Sequence, residues 1–237
     1  MGALVVDAVN FVPQSRLRLF FVAVQRGAAI PHQLVSNIPV RQWHPAGVID
    51  AFNRLSKNSQ NAWVWWRMPR PAVRNTVFAD LIESEPTGVR WHTDEETSRL
   101  LSMMSPLHLE KVAMAKLAGK RVVGTIYRRT RPDAVGGRRV RAEVRFDDIA
   151  GCLRTPSGGS SRQIIMLVEA ENIRTRLLSP REAARLMGLP ESYKLPKNYN
   201  DAYHLAGNGL AVPVVRYIAA HILETVLDER CALKMAA

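Results

Sequence analysis

Apolar residues gather near the two ends of the chain and thin out between them. Leu4-Val5-Val6 is followed by Leu19 to Val24 (LFFVAV), a continuous apolar run of strand length. A run without polar alternation predicts a strand buried on both faces, as in a helix-covered α/β sheet. Such a strand needs neighbours on both sides, and the first 30 residues supply few. From Arg26 to Ile149, prolines, glycines and polar residues break the pattern into short pieces without a repeat. Within that stretch a helix is expected over Thr97–Met104. A second is expected over His108–Leu117, where Leu109, Val112, Ala113, Lys116 and Leu117 form a stripe. Val122–Arg129 and Arg139–Phe146 read as a hairpin around the Asp133–Gly137 turn, the second strand alternating charged and apolar residues.

The C-terminal stretch is more regular. Ser179-Pro180-Arg181-Glu182 is a capping box with proline at the first helical position, so a helix starts there. Ala183, Ala184, Leu186 and Met187 pack it, and Gly188 ahead of Leu189-Pro190 ends it. Another helix begins at Pro213, with Val215, Ile218, Ala219, Ile222, Leu223 and Val226 on one side.

Charge changes the picture. The 237 residues hold 33 Lys+Arg against 21 Asp+Glu, a net charge of +12. A basic chain of this size calls for a polyanionic partner, nucleic acid first among them; a generally basic proteome or an anionic membrane surface is the bland alternative. Arginines number 26 against 7 lysines, which favours bidentate contacts to phosphate and guanine. The two cysteines, Cys152 and Cys231, form no metal or disulfide pattern and suit a reducing cytoplasm. The N-terminal MGALVVDAVN has neither the basic start of a signal peptide nor the hydroxyl of a myristoylation site. No apolar run approaches the ~20 residues of a membrane span, so no membrane partner is expected.

Gln14-Ser15-Arg16-Leu17-Arg18 places two guanidiniums on one side of an extended segment, able to grip a phosphate and a base edge together. Two arginines before a strand are more often a solvated edge. Cys152 to Arg162 (CLRTPSGGSSR) has glycines for close backbone approach, hydroxyls for phosphates, and charge from Arg154 and Arg162. Seven arginines between 128 and 145 surround the hairpin; we read them as sequence-independent phosphate contacts. Trp63, Trp65 and Trp66 suit packing better than a stacking platform.

Three segments in order, VNFVPQSRLRLFFVAV (Val9–Val24), RTRLLSPREAARLMGLPESYKLP (Arg174–Pro196) and AGNGLAVPVVRYIA (Ala206–Ala219), resemble the closing motifs of DNA (cytosine-5) methyltransferases. The resemblance implies α/β architecture: the C-terminal part of a Rossmann-like methyltransferase sheet plus an irregular α+β target recognition domain. Residues 1–28 and 174–228 would belong to the catalytic domain, 29–173 to target recognition, and 229–237 to a tail. It implies that Arg16 and Arg18 lie by the flipped target base as supporting catalytic groups. It also implies that Asn208 and Leu210 form the edge of an S-adenosylmethionine pocket, with Gly207-Asn208-Gly209 as a turn before the last helix. Arg154, Thr155, Gly158, Gly159, Ser160 and Arg162 would contact DNA, and no metal is expected. Where the family has Thr-Leu, this chain has Cys152-Leu153. Glu171-Asn172-Ile173 imitates the family's Glu-Asn-Val but follows the QSRLR block instead of preceding it, which marks it as coincidence.

In that family a Pro-Cys dipeptide carries the nucleophile, and none occurs here. Cys152 follows Gly151 and Cys231 follows Arg230, so neither is a credible nucleophile. The expectation is a C-terminal part of the enzyme, in the cytoplasm of a restriction–modification host. Its partners would be double-stranded DNA and an N-terminal half that carries the cysteine. A non-catalytic DNA-binding module or an inactive truncated gene product is the alternative.

Overall fold

A computed structural model describes residues 1–133, 136–155 and 162–228. The chain forms two compact units that interleave along the sequence: 1–11, 17–73 and 212–237 make the first, 12–16 and 74–211 the second. This division by packing differs from the division by motif above. It joins 29–73 to the N-terminal strands and 174–211 to the unit that holds the hairpin.

In the first unit, β1 (Gly2–Asp7) and β2 (Leu17–Val22) run antiparallel from Gly2↔Val22 to Asp7↔Leu17. The expectation that the LFFVAV run is buried on both faces is corrected here. β2 ends at Val22, pairs with β1 alone among the described strands, and alternates: Leu17, Leu19 and Phe21 are exposed, the last by 68%. Among the described residues β2 has one strand neighbour, and the outer side of the apolar run stays open.

Two short strands, β3 (Val35–Ser36) and β4 (Trp65–Trp66), pair beside helices α1 (Ala46–Asn53) and α2 (Lys57–Asn61). Trp63, Trp65 and Phe52 form an aromatic cluster, edge-on between the tryptophans and tilted at Phe52, packed with Ala3 and Val48, so these tryptophans are packing residues. Trp66 is fully buried and its indole N–H donates to the Val22 carbonyl at 3.3 Å. Gly2 is required where it stands, because a Cβ there would lie 1.9 Å from the Val64 carbonyl oxygen.

The second unit is built on a four-stranded antiparallel sheet. Its strands are β5 (Val122–Pro132), β6 (Arg138–Arg145), β7 (Ile164–Glu169) and β8 (Asn172–Leu177), in the order β6-β5-β7-β8. Here β7, with the sequence IIMLV, is the strand buried on both faces. Ile165 and Leu167 face one core with Val123, Leu153, Leu178, Leu186 and Tyr203. Ile164, Met166 and Val168 face another with Ile126, Val144, Leu100 and Val112. The period of two along β7 thus separates two apolar layers.

Helices α3 (Asp94–Ser102) and α4 (Pro106–Leu117) pack on the second of these cores. The hairpin and both helices stand close to where the pattern put them, although α3 starts three residues before Thr97 because Thr93 and Glu96 close a capping box. Helix α5 (Pro180–Leu186) has the expected box between Ser179 and Glu182 and ends at Gly188, whose φ of 71° only glycine adopts easily. Helix α6 (Tyr199–Asn208) follows. In the first unit, α7 (Val212–Ile218) continues through a π turn at Ala219–Leu223. The stretch Tyr199–Asp228 is long and apolar enough to cross a membrane by length and mean hydropathy, 1.5, with no membrane implied by that alone. It is not one continuous α-helix, since the backbone leaves helical geometry at 209–211.

Candidate functional site

The Val12–Arg16 segment is drawn into the second unit by Gln14 and Arg16. The backbone anchors first: the Ser15 N–H donates to the Ala150 carbonyl at 2.9 Å, and the Ala150 N–H donates to Pro13 at 2.8 Å. Gln14, fully buried, then uses both ends of its amide. Its Nε2 donates to the Leu186 carbonyl at 2.8 Å, where α5 ends, and its Oε1 accepts from the Leu153 N–H at 3.1 Å.

Arg16 is 2% exposed. Its Nη2 donates to the Gly207 and Gly209 carbonyls, each at 2.7 Å, and its Nη1 donates to the Leu153 carbonyl at 3.0 Å and the Cys152 sulfur at 3.3 Å. Gly207 and Gly209 lie at the C-terminus of α6, where carbonyls lack intrahelical partners and the helix dipole is negative. A guanidinium there is a C-cap and a counter-charge together.

Gly207 makes this closeness feasible. A Cβ on it would sit 3.1 Å from the Thr155 backbone nitrogen and side-chain methyl. The expected Gly-Asn-Gly turn is therefore corrected: Gly207 and Asn208 are the last turn of α6, and Gly209 follows with an ordinary φ of −66°. Its glycines serve packing against the 154–155 segment and the Arg16 cap, not a left-handed turn.

Across the same loop, Gly151 lies against Tyr127, whose ring would meet a Cβ at 2.5 Å; the Tyr127 hydroxyl donates to the Cys152 carbonyl at 3.4 Å. Burial drives the Tyr127 phenol well above its ordinary range. Tyr203 is fully buried, accepts the Gln163 N–H at 2.9 Å, and has its phenol pushed up to about 12 by burial. Both phenols stay neutral at physiological pH.

The Arg176–Glu182 pair is the second feature. Both side chains are fully buried and joined in a bidentate bridge at 2.7 and 2.8 Å. Arg176 also donates to the Glu83 carbonyl at 2.9 Å, while Glu182 accepts the Ser179 and Glu83 N–H groups at 2.7 and 2.8 Å. Trp91 lies under the Arg174 and Arg176 guanidiniums, 4.5 and 4.9 Å from its ring centre. The Arg176–Glu182 segment thus ties β8, α5 and the segment around residue 83 into one network.

A protein-family model for C-5 cytosine-specific DNA methylases matches residues 3–224. The chain belongs to that family. Type II methyltransferase M1.ScrFI of Lactococcus lactis subsp. cremoris is 44% identical over 59 residues, 25% of this chain and 15% of that protein. Type II methyltransferase M.HhaI of Haemophilus parahaemolyticus is 47% identical over 51 residues, 22% of this chain and 16% of that protein. Type II methyltransferase M.SsoII of Shigella sonnei is 40% identical over 60 residues, 25% of this chain and 16% of that protein. The matched segments span only 15–16% of the length of these relatives.

Within this C-5 cytosine-specific methylase chain, the expected site residues fall into separate places. Arg16 is enclosed as described, while Arg18 belongs to the first unit, half-buried on β2 opposite Val6. Asn208 and Leu210 are both exposed, and neither lines the polar cleft that Arg162 shares with Arg90, His92 and Glu96. Arg154 is exposed and Thr155 half-buried. Arg162 packs over the Tyr199 ring at 5.4 Å and lines a polar cleft with Arg90, His92 and Glu96. Gly158, Gly159 and Ser160 lie outside the described residues. Glu171 sits in the β7–β8 turn and pairs with Lys116 at 2.7 Å. No cluster of three metal-binding side chains occurs among the described residues.

The structure adds Gln14, Tyr127 and Tyr203 to the residues that matter. Gln14 was visible as the first letter of its motif. The tyrosines carried no local signal, because their role depends on which glycine and which amide the fold brings to them.

Proposed function

We propose that this chain is the C-terminal part of a DNA (cytosine-5) methyltransferase, which transfers a methyl group to carbon 5 of cytosine within a specific DNA sequence in the cytoplasm. The family match over residues 3–224, in a chain without a Pro-Cys dipeptide, is the observation that carries this reading. S-adenosylmethionine supplies the methyl group when bound, and Asn208 and Leu210 form one wall of its site. Residues 1–28 and 174–228 belong to the Rossmann-like catalytic part, and 29–173 to target recognition. Arg16 supports the reaction by shaping the backbone of the 152–153 and 207–209 segments. Arg18, half-buried on β2, is the arginine of the motif that reaches the target base. Arg154, Thr155, Gly158, Gly159, Ser160 and Arg162 contact DNA.

An N-terminal half carrying the cysteine completes the enzyme, adding that cysteine to carbon 6 before methylation. Mixing this chain with the N-terminal half of a family enzyme, and measuring transfer of labelled methyl to duplex DNA, tests the reading. Methylation by the mixture but by neither part alone is expected. No transfer, with DNA binding intact, would leave a non-catalytic DNA-binding module, the reading favoured by the missing nucleophile taken alone. Neither transfer nor binding would point to an inactive truncated product.

A further inference from the structure

Helix α4 carries more apolar residues than its core covers. Val112 and Ala115 face that core, but Leu109 and Leu117, two residues of the expected stripe, are exposed. Leu107, Met114 and Leu117 are open to solvent by 60, 63 and 79%. Positions 107, 110, 111, 114, 117 and 118 recur at the three- and four-residue spacing that places them on one helix face. Leu107, Glu110, Lys111, Met114 and Ala118 of that face line one wall of a groove of about 620 Å³. Val122, where β5 starts, and Phe146, just past β6, line the other.

An apolar stripe rimmed by polar residues marks a contact surface, and its charges narrow the choice of partner. On the sheet wall Arg145 pairs with Asp147. On the helix wall Glu110 and Lys111 supply one charge of each sign, with no ion pair for either among the described residues. The groove is therefore neutral in a chain of net charge +12, which suits neither a polyanion nor an anionic membrane surface. The order of the residues fits a second copy. In an isologous contact residue i meets j and j meets i. Leu107 and Met114 lie symmetrically about the 110–111 peptide, as do Glu110 and Lys111 themselves. A two-fold axis there sets Leu107 of one antiparallel α4 against Met114 of the other, and Glu110 against Lys111, each pair twice.

We propose that this face of α4 is a self-complementary contact through which two copies of the chain associate, α4 against α4. The inference stands apart from the methyl-transfer reading and uses none of its site residues. One twelve-residue helix covers less than a standard interface of ~800 Å² per partner, so the dimer forms at micromolar concentration and is not obligate.

Sedimentation velocity of the full chain from about 1 to 100 μM tests this, with the weight-average mass expected to rise from one copy toward two. K111E sets carboxylates against carboxylates and should weaken dimerisation about ten-fold or more; E110K should do the same with cations. E110K/K111E restores both opposite pairs and should dimerise like wild type, and an equimolar mixture of the two single variants should form mixed dimers. All should melt with wild type, since both positions are exposed. F21K, at an exposed apolar position of the first unit, should leave association unchanged. A wild-type chain that stays monomeric throughout would overturn the proposal, as would dimers that K111E leaves intact or that F21K dissolves. Loss in both single variants without recovery in the double variant or the mixture would overturn the two-fold pairing. Dispersal of the dimer by an added N-terminal half of a family enzyme, whose binding M114D then abolishes, would assign the groove to that half instead.

Discussion

Replacing Glu182 by Gln removes one charge and almost no volume, so it isolates what the buried carboxylate does. Glu182 accepts four hydrogen bonds: Arg176 and Glu83 N–H at Oε1, Arg176 and Ser179 N–H at Oε2. A glutamine keeps one acceptor oxygen and turns an NH₂ group toward the other two donors. Two bonds are lost, and Arg176, with no solvent exposure, is left as an unpaired buried charge. Breaking one side of a buried pair costs about 3–5 kcal/mol. Counted separately, two lost bonds to charged groups come to about 3–6 kcal/mol. The two routes agree, and for a chain of this size they correspond to a fall in Tm of roughly 6–20 °C. Urea unfolding followed by tryptophan fluorescence measures it, with Trp91 stacked beside Arg176 as a local reporter. R176M/E182Q should recover part of the loss, because the orphaned charge is gone. A loss under about 1 kcal/mol in E182Q, with unchanged m-value, would show that the pair is solvated and that the block is not a buried network.

Three further outcomes follow from the geometry. R16M should cost about 3 kcal/mol by leaving the Gly207 and Gly209 carbonyls uncapped. Faster exchange of the Gly209 amide would report it, and unchanged exchange would contradict the capping role. G151A should destabilise by about 1–3 kcal/mol, since its methyl meets the Tyr127 ring at 2.5 Å; a neutral result in thermal melts would mean that the ring moves freely. The exposed Glu96 carboxyl, held to about 2 chiefly by the Arg90 hydrogen bonds and then by the Thr93 N–H, titrates below its unfolded value near 4.3. Its folded pKa is depressed, so its contribution is present above the unfolded pKa and is lost as pH falls toward 2. Carboxyl NMR should show that low midpoint and its rise in R90Q; a wild-type midpoint near 4 would refute the pairing.

The parts of the fold legible in the sequence were those with local causes. Ser179, Pro180 and Glu182 define a helix start through bonds within four residues, and the arginine-rich hairpin follows from alternation and a turn. The strand at Leu19–Val24 failed because an apolar run states what a strand tolerates, not what covers it. The same pattern in Ile164–Val168 does lie between two layers, because Val123, Leu186, Leu100 and Val112 arrive from distant parts of the chain. The site followed the same rule. Arg16 was marked by its motif, yet its actual partners lie at Leu153, Gly207 and Gly209, between 137 and 193 residues away. No spacing along the sequence encodes that distance.

The second unit is continuous from residue 74 to 211 except for one five-residue insertion, 12–16, lent by the other end of the chain. That arrangement constrains how such a unit is inherited or transplanted. A fragment cut at 74 and 211 would lack Gln14 and Arg16 and so lose the groups that close α5 and α6. Moved into another host, the unit would need a segment there that fits its loop and helix ends as residues 12–16 do here. A chimera that carries 74–211 with a mismatched 12–16 segment should therefore fail in folding.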